Sequence, residues 1–531
     1  MKAAAVAARH LRALGCDVEQ AGGHLTARLT AGLAAQPSAD PSVVHCEIGW
    51  PGPVGLPLAG EADVQAACGL MHVHGRKDGG PVPLGVDYAS VAAGVLASQG
   101  VLAALIAQSR VGHAWHVATS VAEAALLTIA QYLAAATTEE DDGPLLPGGP
   151  PFVSADGVRF EIEVLEPDGW LRFWSLLGAP RAAISQGWRP FESRYATATC
   201  PLPPQLHEAA ARLGYTVLTG LAADSGVSVM PVSGAPARPA SAGRPPWSIS
   251  PARRPPRAAA PRTARPAAPP VQPAPGSLEL PLGGLVAVES TSRVQGPLTG
   301  RVLAMLGARV IRVEPPGGDP MRGMPPVDGA CSARFRALNR GKEVAEIDIK
   351  SPAGRELLVR LVADADVFVH NWAPGRAARL GLDAERLLWA NPRLIHARAS
   401  GWGDELGSAP PPGTDFMVQA YSGLGAVVRP PGEPPAPSLM TLTDVLGGLI
   451  CAQGTLAALV ARGVTGAGQR VRSSLLSAAR VLLDEASERT SPAASIPVCT
   501  NLSALGADPR FAAALCRDGA VYPRAPWRFA A

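Results

Sequence analysis

Asp444 heads a long apolar stretch, TDVLGGLICAQGTLAALVA. A carboxylate in water is a poor nucleophile because it is well solvated. At the start of a buried helix it loses water, while the free N–H groups of the first turn keep it ionised. Such a group can attack an electrophilic carbonyl and form a covalent intermediate. Asp is also a preferred helix cap, so the residue alone leaves both readings open. Its setting adds a second signal. The region around it repeats one near the front of the chain without gaps, at a constant spacing of 354 positions: Gln65 matches Gln419, Gly94 matches Gly448, Leu105 matches Leu459, Gly112 matches Gly466 and Ser120 matches Ser474. Asp415 is matched by Glu61, but Asp444 is matched by Ser90. If the carboxylate does chemistry, only one copy can do it. Asp87, three residues early, is the nearest substitute in the first copy.

The elements that must position these residues are legible on either side of a break. The chain of 531 residues is 47% hydrophobic and 17% charged, enough for at least two cores. Its formal charge of +3 gives no reason to expect nucleic acid or a membrane surface as partner. The eight cysteines are scattered without metal-ligand spacing and read as small buried residues in a reducing cytosol. No signal peptide is visible, so a cytoplasmic location is expected. The longest apolar runs, 91–107 and 445–461, lie inside the repeat and read as buried helices rather than membrane spans.

Residues 243–276 are rich in Pro, Ala and Arg, without periodicity, and read as an extended linker. This divides the chain into 1–242 and 277–531. The second part opens with alternating strands and helices: LVAVEST, ARVIRVE, EVAEIDI, DVFVHNW and LIHARASGWG as strands, VQGPLTGRVLAMLG and SPAGRELLVRLVADA as helices. That alternation predicts an α/β, doubly wound parallel sheet, with ligands beyond the carboxyl ends of its strands. The first part lacks this opening. It continues instead into FVSADGVRFEIEVLEPDGWLRFWSLLG, a hairpin with a DG turn followed by an amphipathic helix, which suggests a small α+β module.

The strings VQGPLTGRVLAMLGARVIRVEPPGGDPMRG, LNRGKEVAEIDIKSPAGRELL, DVFVHNWAPGRAARLGLD, NPRLIHARASGWG, GTDFMVQAYSGL and TDVLGGL, in this order, resemble the family III CoA-transferases (the CaiB/BaiF family). The resemblance covers roughly 200 residues of the second part and, more weakly, the first. It implies a Rossmann-like domain closed by a small domain, in chains threaded through each other as interlocked rings. Here it implies two incomplete copies fused into an intrachain pseudo-dimer, with the first expected to be inactive. Further pairing as a homodimer stays open.

The implied reaction moves CoA from an acyl-CoA donor to a carboxylic acid acceptor through an aspartyl anhydride and an aspartyl-CoA thioester. Coenzyme A is then a substrate and acyl carrier, and no metal is implied. The resemblance assigns Asp444 as nucleophile and Gln295, in VQGP, as the amide near the thioester. Asn371 and Trp372 are assigned to the pantetheine and adenine, and Arg379 to the phosphates, with Arg312, Arg340 and Lys342 as further cations. The family's racemases carry a His–Asp pair where this chain has Thr414 and Asp415. A racemase or isomerase using Asp444 and Asp415 as acid and base is therefore one alternative. A non-catalytic scaffold that binds CoA esters is another. The Gly-rich lid of the family has only PGGPP at 147–151 as counterpart.

Overall fold

The computed structural model describes residues 1–29, 43–111, 115–140, 145–235, 244–252, 280–486 and 494–530. The second part builds a seven-stranded sheet in the order 343–346, 309–314, 286–290, 367–370, 395–400, 469–474 and 247–251. The first six strands are parallel and the last is antiparallel. Strand 367–370 is buried on both faces. Val367 and Val369 join the large core beside the Leu442–Thr465 helix, while Phe368 joins a separate core with Leu358, Leu387 and Trp372. Such two-sided burial follows from helices covering both faces of a parallel sheet.

The repeat is exact in the helices. Tyr88–Val111 and Leu442–Thr465 each have 24 residues, and both ends are 354 positions apart. The two helices pack against each other in the largest core. Both are long and apolar enough to cross a membrane, yet their most apolar windows are 100% and 83% buried inside the protein. Glycine explains one close approach. A side chain on Gly448 would begin 2.6 Å from the carbonyl oxygen of Gln295, and one on Gly94 would begin 2.6 Å from that of Ala3. Helices Gln295–Met305 and Lys2–Ala13 therefore lie on the two central helices in the same way.

That match corrects the expectation that the first part lacks the opening of the fold. It keeps a reduced version, with the helix Lys2–Ala13 and the strand Val43–Gly49 running parallel to His116–Ser120. A hairpin of Cys16–Ala21 and His24–Leu29 completes that side of the sheet. The motif is invisible in sequence because Ala3 stands where the other copy has Gln295. The spacing there is also 292 positions rather than 354 (3 to 295, 15 to 307).

Each part also closes the other's sheet. Trp247–Pro251, from the end of the first part, pairs with Gln469–Ser474 of the second. Arg528–Ala530, at the end of the second, pairs with His116–Ser120 of the first. The two tryptophans preceding or opening these strands occupy equivalent notches: Trp247 lies against Gly454 and Trp527 against Gly100. Residues 247–251, expected within the linker, are thus a sheet strand; the alternating Trp-Ser-Ile pattern is its signal. The remainder of that segment, 253–276, lies outside the described residues.

The small module has a three-stranded antiparallel sheet of 152–153, 159–163 and 228–231. Helices 167–176, 181–197, 204–211 and 215–225 cover it. Phe152, Phe160, Trp170, Phe173 and Trp174 fill its core, which is continuous with Phe416 and Leu439 of the second part. Arg159 Nε also donates to the carbonyl of Pro435 at 3.0 Å. The module therefore docks on the second copy, while Arg76 and Gln131 of the first copy also donate to carbonyls of its 181–197 helix.

Candidate active site

Asp444 lies in the first turn of the Leu442–Thr465 helix, half-buried in a cavity of about 390 Å3. The cavity floor comes from the second part: Arg293, Met321, Thr414, Asp415 and Asp444. The roof comes from the small module of the first part, including Glu163, Trp188, Arg194 and Tyr195. Thr414 Oγ1 donates to Glu163 Oε2 at 2.5 Å and joins the two walls.

Asp415 shapes the start of the helix. Its Oδ1 accepts from the Thr443 N–H at 2.6 Å, the Thr443 hydroxyl at 2.5 Å and the Asp444 N–H at 2.9 Å. Its Oδ2 accepts from Gln419 Nε2 at 2.5 Å. The carboxylate thus satisfies donors that a helix N-terminus leaves open. The first copy repeats this device. Glu61 accepts from the N–H groups of Ala89 and Ser90 at 2.9 and 2.8 Å, and Gln65 donates to it at 3.0 Å. There the hydroxyl of Ser90 also donates to Glu61, at 2.6 Å, and Ser90 is only 1% exposed. Asp87, the possible substitute, is held in an ion pair with Lys2. The first copy thus keeps the scaffold of the site without a second carboxylate or an opening.

Burial raises the Asp444 carboxyl, and the negative charges of Asp415 and then Glu163 act in the same direction, while Arg293 opposes them. Burial likewise raises Asp415, but its hydrogen bonds pull it back. Of two carboxyls that repel at close range, the one with four donors ionises first, and Asp444 holds its proton longer.

Gln295 is 4% exposed at the start of its helix, and its amide would meet a side chain on Gly447 at 3.0 Å. It is therefore packed beneath the cavity, one turn along from Asp444. Asn371 does not face open solvent with its amide. It accepts from the Ser292 N–H at 3.0 Å and donates to the Ser292 carbonyl at 2.8 Å. This clamp holds the turn that carries Arg293.

Four expected CoA contacts are corrected by burial or partners. Trp372 is 7% exposed, donates to Ser290 Oγ at 3.1 Å and packs on Phe368, so its ring cannot stack on an adenine. Arg312 is 1% exposed and spends its guanidinium on Glu289, Glu314 and Asp319. Lys342 binds Glu289, the Pro297 carbonyl and Asn339, and burial lowers its ammonium to about 8. Arg340 pairs with Asp518 and covers the Tyr522 ring, which fixes the C-terminal hairpin. Arg379 alone of the expected cations is exposed, beside the loop after strand 367–370. Residues 147–151 pack on Cys200, Pro201 and Leu439 and do not line the cavity.

Arg293 was not among the expected residues. It is exposed, has φ +62° and faces the Tyr195 ring at 5.6 Å. Its place two residues before Gln295 was the available signal, but no periodicity marks a left-handed turn.

A family model described as CoA-transferase family III matches residues 21–237 and 282–522. The chain belongs to that family. Among curated relatives, it is 38% identical over 208 residues to an acetyl-CoA:oxalate CoA-transferase of Acetobacter aceti, covering 39% of this chain and 54% of the relative. It is 36% identical over 204 residues to a succinate–glutarate CoA-transferase of Agrobacterium fabrum, covering 37% and 51%. A crystal structure of a CAIB/BAIF family protein from Brucella suis is 36% identical, with a TM-score of 0.37, over 38% of this chain and 55% of that one. The chain therefore spans about half the length of the curated family III relatives it matches. The two matched segments, on either side of the unmatched 238–281, agree with the internal repeat of this family III chain.

Proposed function

We propose that the protein is a CoA-transferase with one working site, at Asp444. The observation that carries this reading is the pairing of Asp444 with Asp415 at a helix start, in a cavity closed by the other half of the chain. Residues 1–242 and 277–531 then act as the two members of a pseudo-dimer, and the first contributes its small module rather than chemistry.

The Asp444 carboxylate attacks the thioester carbonyl of an acyl-CoA. The C–S bond breaks, and CoA leaves as the thiolate, giving an acyl-aspartyl anhydride. The thiolate then attacks the aspartyl carbonyl and releases the donor acid. The acceptor carboxylate attacks the resulting aspartyl thioester and again expels thiolate. Attack of that thiolate on the acceptor's acyl carbon restores Asp444 and yields the new acyl-CoA. The cycle starts once Asp444 has lost its proton, which the Arg293 charge favours, and no further proton is gained or lost. Arg293, which lines the cavity and draws the Asp444 carboxyl toward its ionised form, supplies the positive charge beside the nucleophile, and the exposed Arg379 is the cation we assign to the CoA phosphates. Asp415 positions the nucleophile through the helix start. Its full set of donors speaks against the acid or base role that a racemase would require.

Incubation with acyl-CoA and hydroxylamine, followed by peptide mass spectrometry, tests the reading. Conversion of Asp444 to a hydroxamate is the expected result. Turnover with no mark on Asp444, or a mark on Asp87 instead, overturns the assignment.

A further inference from the structure

The cavity over Asp444 is lined by three arginines, which the protein holds in different ways. Arg194 is committed: it is 3% exposed, donates to Glu163 at 3.2 Å and to the carbonyl of Phe191 at 2.7 Å, and lies over the rings of Phe191 and Phe416. Arg189 is exposed on the 181–197 helix, three residues before Glu192. Arg293 differs from both in coming from the second part of the chain. It makes no ion pair among the described residues, and its guanidinium is held over Tyr195.

The backbone around it is built to keep it there. Arg293 is one of two non-glycine residues with positive φ among the described residues, the other being Ala198. An L-residue occupies that region at a cost and persists there when its surroundings impose it. Asn371 imposes it here by binding both the N–H and the carbonyl of the preceding Ser292. A strained turn that aims a lone guanidinium into a cavity is suited to a carboxylate, which Arg recognises with two parallel hydrogen bonds.

Much of the remaining lining is apolar: Leu165, Trp188, Pro320, Met321, Met324 and Pro325. Methionine thioethers and an indole adapt to hydrocarbon and aromatic surface. The acidic groups of the cavity, Glu163, Glu192, Asp415 and Asp444, would repel a second carboxylate. A second carboxylate on the acyl body would be desolvated against this apolar lining.

We propose that Arg293 anchors the reacting carboxylate of the acceptor, and that the acceptor is a monocarboxylic acid whose apolar body rests on Met321, Met324 and Trp188. This deepens the CoA-transferase reading and rests on it for the word acceptor. The recognition itself is a binding property and is tested as one. Calorimetric titration of the full chain with hexanoate and with glutarate should show hexanoate binding at least roughly tenfold more tightly. Arg293→Asn, which removes the charge but tolerates a left-handed turn, should weaken hexanoate by about tenfold or more without lowering the melting temperature. Met324→Glu should weaken hexanoate while sparing the fold. Tighter binding of glutarate overturns the apolar class, and unchanged hexanoate affinity in Arg293→Asn overturns the anchor. Saturable binding of neither acid overturns both. If hexanoate binds as expected but hydroxylamine never marks Asp444, the transferase reading fails and the carboxylate site stands.

Discussion

The hydroxyl of Tyr88 donates to the carbonyl oxygen of Leu442 at 3.1 Å, and these two residues are each other's counterparts in the repeat. A contact between equivalent positions lies on the axis that relates the copies. Around that axis the symmetry is followed and then broken. Gln99 donates directly to the carbonyl of Leu449 at 2.6 Å, whereas its counterpart Gln453 donates to the hydroxyl of Ser98, which passes a bond to the carbonyl of Val95. The central helices therefore keep a two-fold frame while their side chains diverge.

Asp444→Asn should abolish CoA transfer and also raise stability. The carboxyl is raised above its unfolded value, so the folded state holds its proton between the unfolded and the folded pKa. Stability is then greatest at low pH and declines as pH rises toward about 8. The amide has no such decline, so its advantage should grow between pH 5 and pH 8, reaching a few degrees in melting temperature. Thermal melts of both proteins across that range provide the check; an advantage that shrinks with pH would contradict the sign.

In the first copy, Ser90→Asp should not create a second active site. The new carboxylate would be buried against Glu61, which now accepts from the Ser90 hydroxyl. A loss of roughly 2–4 kcal/mol is expected from an unpaired buried charge. Urea unfolding measures the loss, and transfer activity in an Asp444→Asn, Ser90→Asp double variant should remain at background.

Arg312 and Arg379 should separate stability from binding. Arg312→Ala leaves Glu289, Glu314 and Asp319 close together without their shared cation, which costs about 3–5 kcal/mol. Arg379→Ala removes an exposed cation and should leave unfolding unchanged while weakening CoA by roughly 1–2 kcal/mol. Denaturation and CoA calorimetry on both variants test the contrast, and the reverse pattern would return Arg312 to the CoA site.

A protease site introduced between residues 253 and 279, once cut, should leave the two fragments together on size exclusion. The fragment carrying Trp247–Pro251 lends that strand to the other fragment's sheet, and Arg528–Ala530 is lent in return. Separation of two folded fragments would show that these strands contribute little.

The parallel sheet of the second part was readable because each strand and helix carries its own period and punctuation. Strand 367–370 was expected from DVFVHNW, and the helix of Asp444 from its apolar run. The site was less readable. Arg312 and Lys342 look like surface cations in sequence, and only the fold brings Glu289, Glu314 and Asp319 around them. Trp372 looks like a ligand-stacking ring until the sheet buries it. Arg293 was missed because its place depends on a turn clamped by Asn371, 78 positions away. The small α+β module of the first part was readable from its DG hairpin and amphipathic helix, but Glu163 and Tyr195 could not be chosen from it without the docked geometry.

The crossed strands also change how sequence change acts on this protein. When two identical chains assemble, every substitution appears at both members of the pair, so a loss at one catalytic position is a loss at both. Here Ser90 and Asp444 are separate positions in one chain, and the covalent link keeps the copies in one-to-one ratio. On the proposed reading, one copy can thus keep only a reduced opening and no nucleophile while serving as a lid, and the other can do without its own lid while keeping the chemistry. The fused chain permits a division of labour that an assembly of identical chains does not.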